Sequence, residues 1–107
     1  MNWNIDPERM QQALNHSLLG VVAIDTRTNA AIGMARACGD GRFYTIWDVI
    51  VVPEHQGQKI GTALMETLLA ELRRIGPKGA FVGLFALKTG FYEQLGFVCD
   101  SGMHIPL

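Results

Sequence analysis

Residues 53–63, with the sequence PEHQGQKIGTA, have the composition of a phosphate-binding turn. They follow an apolar run, Ile46 to Val52, and precede a helix-like pattern of leucines. Where a strand leads through a glycine-containing loop into a helix, backbone N–H groups stay free and the helix dipole favours negative charge. Gly57 allows the chain to turn, and Gly61 lets a phosphate approach the first helical turn. The stretch is therefore a candidate anion site.

The amides of residues 58–63 are predicted to form a concave nest for phosphate oxygens. Thr62 can add a hydroxyl group and Lys59 a positive charge. The stretch contains neither GxGxxG, which would indicate a dinucleotide site, nor GxxxxGK[ST], which would indicate a nucleoside triphosphatase. From these residues alone, an ordinary strand-to-helix turn is as good an interpretation as a phosphate site.

Pro53 and Asp48 are unusual residues for a strand. Pro53 has no N–H group, so pairing with a neighbouring strand must fail there. The backbone groups of Val51 and Val52 would then be open to an extended ligand that carries amides, such as pantetheine. The alternative is a plain strand end. Asp48 places a carboxylate in an apolar strand, which is costly unless the group is used or paired.

The hydrophobic pattern predicts a mixed α+β fold. A helix should begin at the capping residue Asp6 and end near His16, and a long amphipathic helix should run from about Ile60 to Ile75. The remaining predicted elements are strands at 18–24, 30–38, 43–52, 80–86 and 97–105 and a short helix at 89–95. Turns join the first three strands, so these are antiparallel, whereas the long helix makes the third and fourth parallel. We therefore expect a mixed, mostly antiparallel central sheet flanked by helices, with the third strand buried on both faces.

Composition narrows the classes of function. The chain has 107 residues, which predicts one domain over 1–107, and 49% apolar against 18% charged residues predicts a packed core. A formal net charge of −1 gives no reason to expect nucleic acid or an anionic membrane as a partner. No apolar run approaches the roughly 20 residues that span a bilayer, and the first residues, MNWNIDPERM, do not resemble a secretory signal. We expect a cytoplasmic protein.

The possible metal ligands are scattered. His16, His55 and His104 lie far apart, and Cys38 and Cys99 form no CxxC pair. Without such spacing a metal site is not expected, and the cysteines are predicted to be free thiols.

Two segments together resemble the GNAT family of acyl-CoA-dependent N-acetyltransferases. The first is V-x-P-E-x-Q-G-x-x-I-G-x-A-L at 51–64, and the second is FYEQLGF at 91–97. They occur in the order and spacing found in the family, and the similarity extends over about residues 18–105. The resemblance implies an acyl-CoA N-acyltransferase fold with a sheet splayed between the third and fourth strands. It also implies transfer of an acetyl group from acetyl-CoA to a primary amine by direct attack on the thioester.

The resemblance further implies a site for acetyl-CoA. The end of the third strand, at Ile50, Val51 and Val52, would pair with pantetheine. The pyrophosphate would lie on Gln56, Gly57, Gln58, Lys59, Ile60, Gly61, Thr62 and Ala63. The family motif Q/R-x-x-G-x-G/A falls on residues 56–61, where Lys59 stands in place of the first glycine. A side chain is tolerated there if the residue is right-handed helical, and its ammonium group could then contact phosphate.

Tyr92 matches the tyrosine that protonates the thiolate in this family. A phenol with a pKa near 10 can give a proton to a thiolate with a pKa of about 8.5. Asp48 is the first candidate for the base or for the anchor of the amine, and Glu54 and His55 are alternatives that would act through water. The N–H group of Val51 is the predicted donor to the oxyanion.

Two further interpretations stay open. One is a CoA-binding regulatory module with little or no catalysis, and the other is a structural remnant that dimerises through its sheet. Compared with the family pattern, the chain is abbreviated at both ends, so a second subunit is expected to complete the acceptor pocket in a homodimer. The candidates for lining the acceptor pocket are Trp3, Met34, Arg36, Trp47 and Met103, and for all five the default interpretation is packing in the core or at the surface.

Overall fold

The computed structural model describes residues 6–85, 90–99 and 103–106. The helices are α1 (Pro7–Asn15), α2 (Ile60–Ile75) and α3 (Gly90–Glu93), with a 3-10 turn at Pro53–His55. The strands are β1 (Leu19–Asp25), β2 (Ala30–Gly39), β3 (Phe43–Val51), β4 (Phe81–Leu84), β5 (Val98–Cys99) and β6 (Met103–Pro106). Asp6 caps α1 as predicted, because its carboxylate accepts a hydrogen bond from the N–H of Glu8 at 3.0 Å.

The six strands form one sheet in the order β1-β2-β3-β4-β6-β5. β1, β2 and β3 are antiparallel neighbours, and β3 and β4 are parallel with α2 as the crossover, which confirms the predicted mixed sheet. The single strand predicted at 97–105 is wrong, because β5 and β6 pair with each other as antiparallel strands. The intervening sequence Asp100-Ser101-Gly102 consists of residues that favour turns over strands.

The apolar face of α2 forms the centre of the core. Its buried residues are Leu64, Met65, Leu68, Leu69 and Leu72. They pack in one cluster with Ala35 and Ala37 of β2 and with Val82 of β4. The predicted stripe is confirmed except at its end, where Ile75 is 42% exposed. No described helix has both the length and the hydropathy needed to cross a membrane.

The sheet face opposite α2 is open at β3. Phe43 and Trp47 are 48% and 40% exposed, so the prediction that β3 is buried on both faces is wrong there. The cause is that α2 covers only one face of β1, β2 and β3. Trp47 lies on the other face, together with Arg36, its partner in the register. Side chains alternate between the two faces of a strand, so every second residue of this part of β3 avoids the core.

We predict that Leu68→Ala lowers the free energy of unfolding by about 2–5 kcal/mol, because Leu68 is completely buried and its truncation leaves a cavity. Ile75→Ala on the same helix is the control, with an expected loss below about 1 kcal/mol. Urea unfolding followed by circular dichroism measures both. Equal losses would contradict the placement of the core on one stripe of α2.

Candidate active site

β3 and β4 pair over only part of their length. Three residue pairs connect them, and the last is Thr45 with Gly83. β3 continues to Val51, so the edge of β3 that faces β4 has no strand partner after Thr45 among the described residues. The splay predicted between the third and fourth strands is therefore present.

A β-bulge interrupts β3 inside the splayed part. Trp47 lies opposite Arg36 and Ile50 lies opposite Met34, so Asp48 and its successor face a single residue of β2. Asp48 has a φ of 56°, in the left-handed region. A left-handed residue at the first bulge position is typical of a type of bulge in which that residue is usually glycine.

Only alternate residues after the bulge turn their backbone towards the splay. The N–H of Val52 donates to the carbonyl of Ile32 in β2 at 2.8 Å. Because backbone groups alternate along an antiparallel strand, Ile50 also faces β2, and Val51 faces the open side. The prediction that Ile50, Val51 and Val52 all pair with pantetheine is therefore wrong for Ile50 and Val52 and remains a prediction for Val51.

The carbonyl of Val51 is covered by a neighbouring side chain. Gln56 Nε2 donates to the Val51 oxygen at 3.1 Å. No hydrogen bond from the Val51 N–H to a described residue is found outside the strand ladder, and within the ladder this N–H faces away from β2. An incoming amide that pairs with the carbonyl would replace the Gln56 side chain, whereas the Val51 N–H is directly available.

An open cleft of about 320 Å³ adjoins the end of β3. Its walls are Val51, His55, Gln56, Gly57, Lys59, Ile60, Gly61, Thr62 and Phe91. Gly57 has a φ of 82°, which confirms that it makes the predicted turn. A methyl group added at Gly61 would make an ordinary van der Waals contact with the Phe91 ring at 3.6 Å, so the start of α2 lies close to α3 here.

The N-terminus of α2 supplies free amides to this cleft. No hydrogen bond within the described residues uses the N–H groups of residues 57–62. The N–H of Ala63 donates to the carbonyl of Lys59 at 3.1 Å, so including Ala63 in the nest was wrong. The physical reason is that Lys59 is the N-cap, whose carbonyl accepts the first bond of the helix. Gln58 keeps a free amide, although its side chain does not line the cleft.

Lys59 is left-handed, with φ 62° and ψ 21°, so the right-handed conformation in which a side chain would be tolerated there is not the one adopted. The position needs the backbone shape that a glycine adopts without cost, and a residue with a Cβ atom is strained there. Lys59 forms no ion pair with the described residues, and its side chain lines the cleft. Its ammonium group is therefore free to contact an anion.

Tyr92 packs beside the cleft. Its ring makes edge-to-face contacts with Phe91 at 4.9 Å and with Phe97 at 6.1 Å between centroids. The hydroxyl has no hydrogen bond to a described residue and is not a buried unsatisfied atom, so water or a ligand can reach it. Burial raises the pKa of the Tyr92 phenol above its usual value, which keeps the group protonated at neutral pH.

The three candidate bases lie in different surroundings. Asp48 is in an ion pair, with Arg36 Nε donating to its carboxylate at 2.6 Å. Glu54 is exposed on the 3-10 turn and does not line the cleft. Of the three candidate bases, His55 is the one whose residue lines the cleft. The assignment of a base to Asp48 or Glu54 stays a prediction.

Asp25, the last residue of β1, lies close to His55. Asp25 Oδ2 lies 3.7 Å from His55 Nε2. The N–H of Arg27 donates to the other oxygen of Asp25 at 2.9 Å and lowers the pKa of that carboxyl group. The carboxylate at the end of β1 thus lies beside the wall of the cleft, where it forms an ion pair with His55 when the imidazole is protonated.

Trp47 and Phe85 meet where β3 and β4 separate. Their ring centroids are 5.9 Å apart, and Phe85 is 74% exposed. The sequence analysis did not predict Phe85 or Phe91 as site residues. The signals for them were the position of Phe85 at the end of a strand and that of Phe91 in the FYEQLGF segment. Of the predicted acceptor pocket, Trp3 lies outside the described residues, and Met103 is described only as part of the β6 backbone.

Comparison with known proteins assigns the family. Residues 16–99 match the Acetyltransferase (GNAT) domain. A GNAT family acetyltransferase structure from Streptococcus pneumoniae superimposes with a TM-score of 0.74 at 34% identity, over 90% of this chain and 72% of that one. The chain therefore belongs to the GNAT acetyltransferase family and has its fold.

Two further proteins are similar. "Serotonin N-acetyltransferase 2, chloroplastic" of Oryza sativa subsp. japonica is 40% identical over 98 residues, which are 87% of this chain and 48% of that protein. A GNAT family acetyltransferase of Brucella melitensis, solved in complex with acetyl-CoA, has the same fold with a TM-score of 0.75 at 24% identity, over 92% of this chain and 64% of that one. The chain thus spans about half the length of the O. sativa relative.

We predict that Lys59→Gly is more stable than Lys59→Ala by up to about 1 kcal/mol, because both variants lose the charge but only glycine relieves the left-handed strain. Thermal and urea unfolding of the two variants measure the difference. A more stable alanine variant would show that Lys59 does not adopt the left-handed conformation.

Proposed function

We propose that this protein transfers an acetyl group from acetyl-CoA to a primary amine by direct attack of the amine on the thioester. The observation that carries the proposal is the continuity of the site. The edge of β3 at Val51, which has no strand partner among the described residues, runs into a cleft lined by residues 57 and 59–62, whose amides are free of hydrogen bonds to described residues. The extended pantetheine arm of coenzyme A, which carries amides, would lie along the Val51 edge. The pyrophosphate at the end of that arm would then lie at the free amides.

The chemistry of the cleft fits coenzyme A. The free amides at the start of α2 and the unpaired ammonium group of Lys59 suit the negative charge of the pyrophosphate. The open backbone of Val51 suits an amide of the pantetheine arm. The complex of the B. melitensis protein with acetyl-CoA supports the same ligand for this site.

The reaction needs proton transfer away from the amine and proton transfer to the thiolate. The neutral amine nitrogen forms a bond to the thioester carbon, and the carbonyl oxygen becomes an oxyanion that the Val51 N–H can meet. The carbon–sulfur bond then breaks, and the thiolate takes a proton from the Tyr92 hydroxyl to give free CoA. Before the attack, the ammonium group of the acceptor gives one proton through water to His55, Glu54 or Asp48. After the attack, the nitrogen loses a second proton to water, and water returns a proton to Tyr92.

We propose an acceptor whose amine is joined to an apolar or aromatic group. Trp47 and Phe85 place two exposed rings at the mouth of the splay, on the sheet face opposite α2. Aromatic rings favour stacked or edge-on contacts with other rings. The name of the O. sativa relative, a serotonin N-acetyltransferase, agrees with an acceptor of this kind.

A CoA-binding module with little catalysis is the second candidate. The strained conformation of Lys59 and the Gln56 side chain on the Val51 carbonyl favour it, because both differ from an open, glycine-lined phosphate site. It predicts binding of CoA without release of thiol in the presence of amines.

Calorimetric titration with acetyl-CoA, beside a thiol-release assay over a panel of amines, tests the proposal. We expect micromolar binding, and faster turnover of 2-arylethylamines than of a lysine-containing peptide. Binding without turnover on any amine would support the regulatory module. Absence of binding would contradict both candidates and would mean that Lys59 closes the phosphate site.

We predict that Tyr92→Phe lowers kcat by about 100-fold or more and leaves the Kd for acetyl-CoA nearly unchanged, because the ring is retained and only the acidic proton is lost. Tyr44→Phe is the control, since Tyr44 is buried in the core and 2% exposed. The raised pKa of Tyr92 further predicts that kcat does not fall at high pH until above the usual phenol value of about 10. Loss of acetyl-CoA binding in Tyr92→Phe would assign the residue a structural role instead.

The homodimer and the cytoplasmic location remain predictions. The homodimer can be checked by sedimentation equilibrium of the whole chain. The name of the O. sativa relative places that protein in the chloroplast.

A further inference from the structure

We propose that Arg36 is a positioning residue, which holds Asp48 in the left-handed conformation and so maintains the bulge that directs the Val51 amide into the splay. The catalytic consequence rests on the proposed acetyl transfer, whereas the effect on the backbone does not. In this arrangement Asp48 serves the shape of β3 and does not take the proton of the amine.

The conformation of Asp48 needs a cause. Its φ of 56° is one that residues with a Cβ atom rarely adopt, and its place in the bulge is one that glycine usually fills. The residue is aspartate, so the cost of this conformation has to be offset by contacts of its side chain.

Arg36 supplies those contacts from the neighbouring strand. Its Nε lies 2.6 Å from the Asp48 carboxylate, and the two side chains are only 14% and 15% exposed. Its NH1 group donates to the Ser17 hydroxyl at 3.2 Å, and that hydroxyl donates to the carbonyl of Ala13 at 2.7 Å. The guanidinium group is thus itself held in place by the end of α1, and an ion pair this well buried is stronger than one at the surface.

The bulge decides which amide faces the substrate. Before it, Ala37 lies opposite Ile46, and after it, Gly33 lies opposite Val51. Without the extra residue, Gly33 would lie opposite Ile50, and Val51 would take the place of Val52 opposite Ile32. The N–H of Val51 would then donate to β2, as that of Val52 does now, and would be lost to the splay.

The first test compares Asp48→Gly with Asp48→Val. Glycine adopts the left-handed conformation without help, whereas a β-branched residue does so least well. We expect Asp48→Gly to exceed Asp48→Val in kcat by about tenfold or more, with similar Kd values for CoA, since loss of an oxyanion donor costs about 100-fold in kcat. If the carboxylate is the base, the two variants lose kcat equally, and the proposal is overturned.

The second test places Arg36→Met in two backgrounds, and Arg36→Lys serves as the conservative variant. We expect Arg36→Met to lower kcat by about tenfold in the wild-type chain, and by less than about threefold when Asp48→Gly is present, because Arg36 acts through Asp48. Arg36→Lys should recover part of the loss. Equal effects in the two backgrounds would contradict the coupling. This comparison also stands if Asp48→Val does not fold.

NMR gives a measure that does not depend on turnover. A cross-strand NOE between Gly33 and Val51 reports the register after the bulge. We expect it in the wild type and Asp48→Gly, and weakened in Asp48→Val and Arg36→Met. An unchanged NOE in every variant that folds would overturn the proposal. A wild type without turnover on any amine, but with this NOE pattern, would overturn the proposed function alone.

Discussion

The structure of this site depends on β3 being paired on one edge and open on the other. β3 pairs with β2 over nearly its whole length, with a one-residue slip at the bulge, whereas its pairing with β4 ends at Thr45 and Gly83. β3 is held by its pairing with β2 and by the buried face of α2, which packs on the sheet through Leu64, Leu68 and their neighbours. The apolar core therefore allows a row of backbone groups to stay available for a ligand.

The phosphate side of the cleft shows a balance between conformation and charge. The N-cap of α2 has the left-handed shape that glycine adopts freely, yet Lys59 occupies it. Strain of this kind commonly amounts to about 1–2 kcal/mol, which is at least as large as the roughly 0.3–1 kcal/mol that an anion typically gains from a helix N-terminus. The chain thus carries a charge in the cleft at a conformational cost, and the free amides of residues 57–62 do not depend on that charge.

The two sides of the sheet have different roles. The side covered by α2 is closely packed, and its alanines at 35 and 37 let the helix approach β2. The opposite side presents Trp47 and Phe85 at the splay and holds the Arg36–Asp48 pair. We therefore expect ligand backbone contacts along the edge of β3 and contacts with an acceptor on the open face.

The type and order of the elements up to β4 and the turn at Gly57 could be predicted before folding, because hydrophobic period, caps and glycine positions are local signals, and the segments at 51–64 and 91–97 indicated the family. The sequence could not predict the slip of one residue at Asp48, which changes the face and edge of every later residue of β3. Nor could it predict the partner of Asp48, since Arg36 is brought to it only by the pairing of two strands. These features were decided by the tertiary structure, because hydrogen-bond register and ion pairing between distant residues exist only once the sheet has formed.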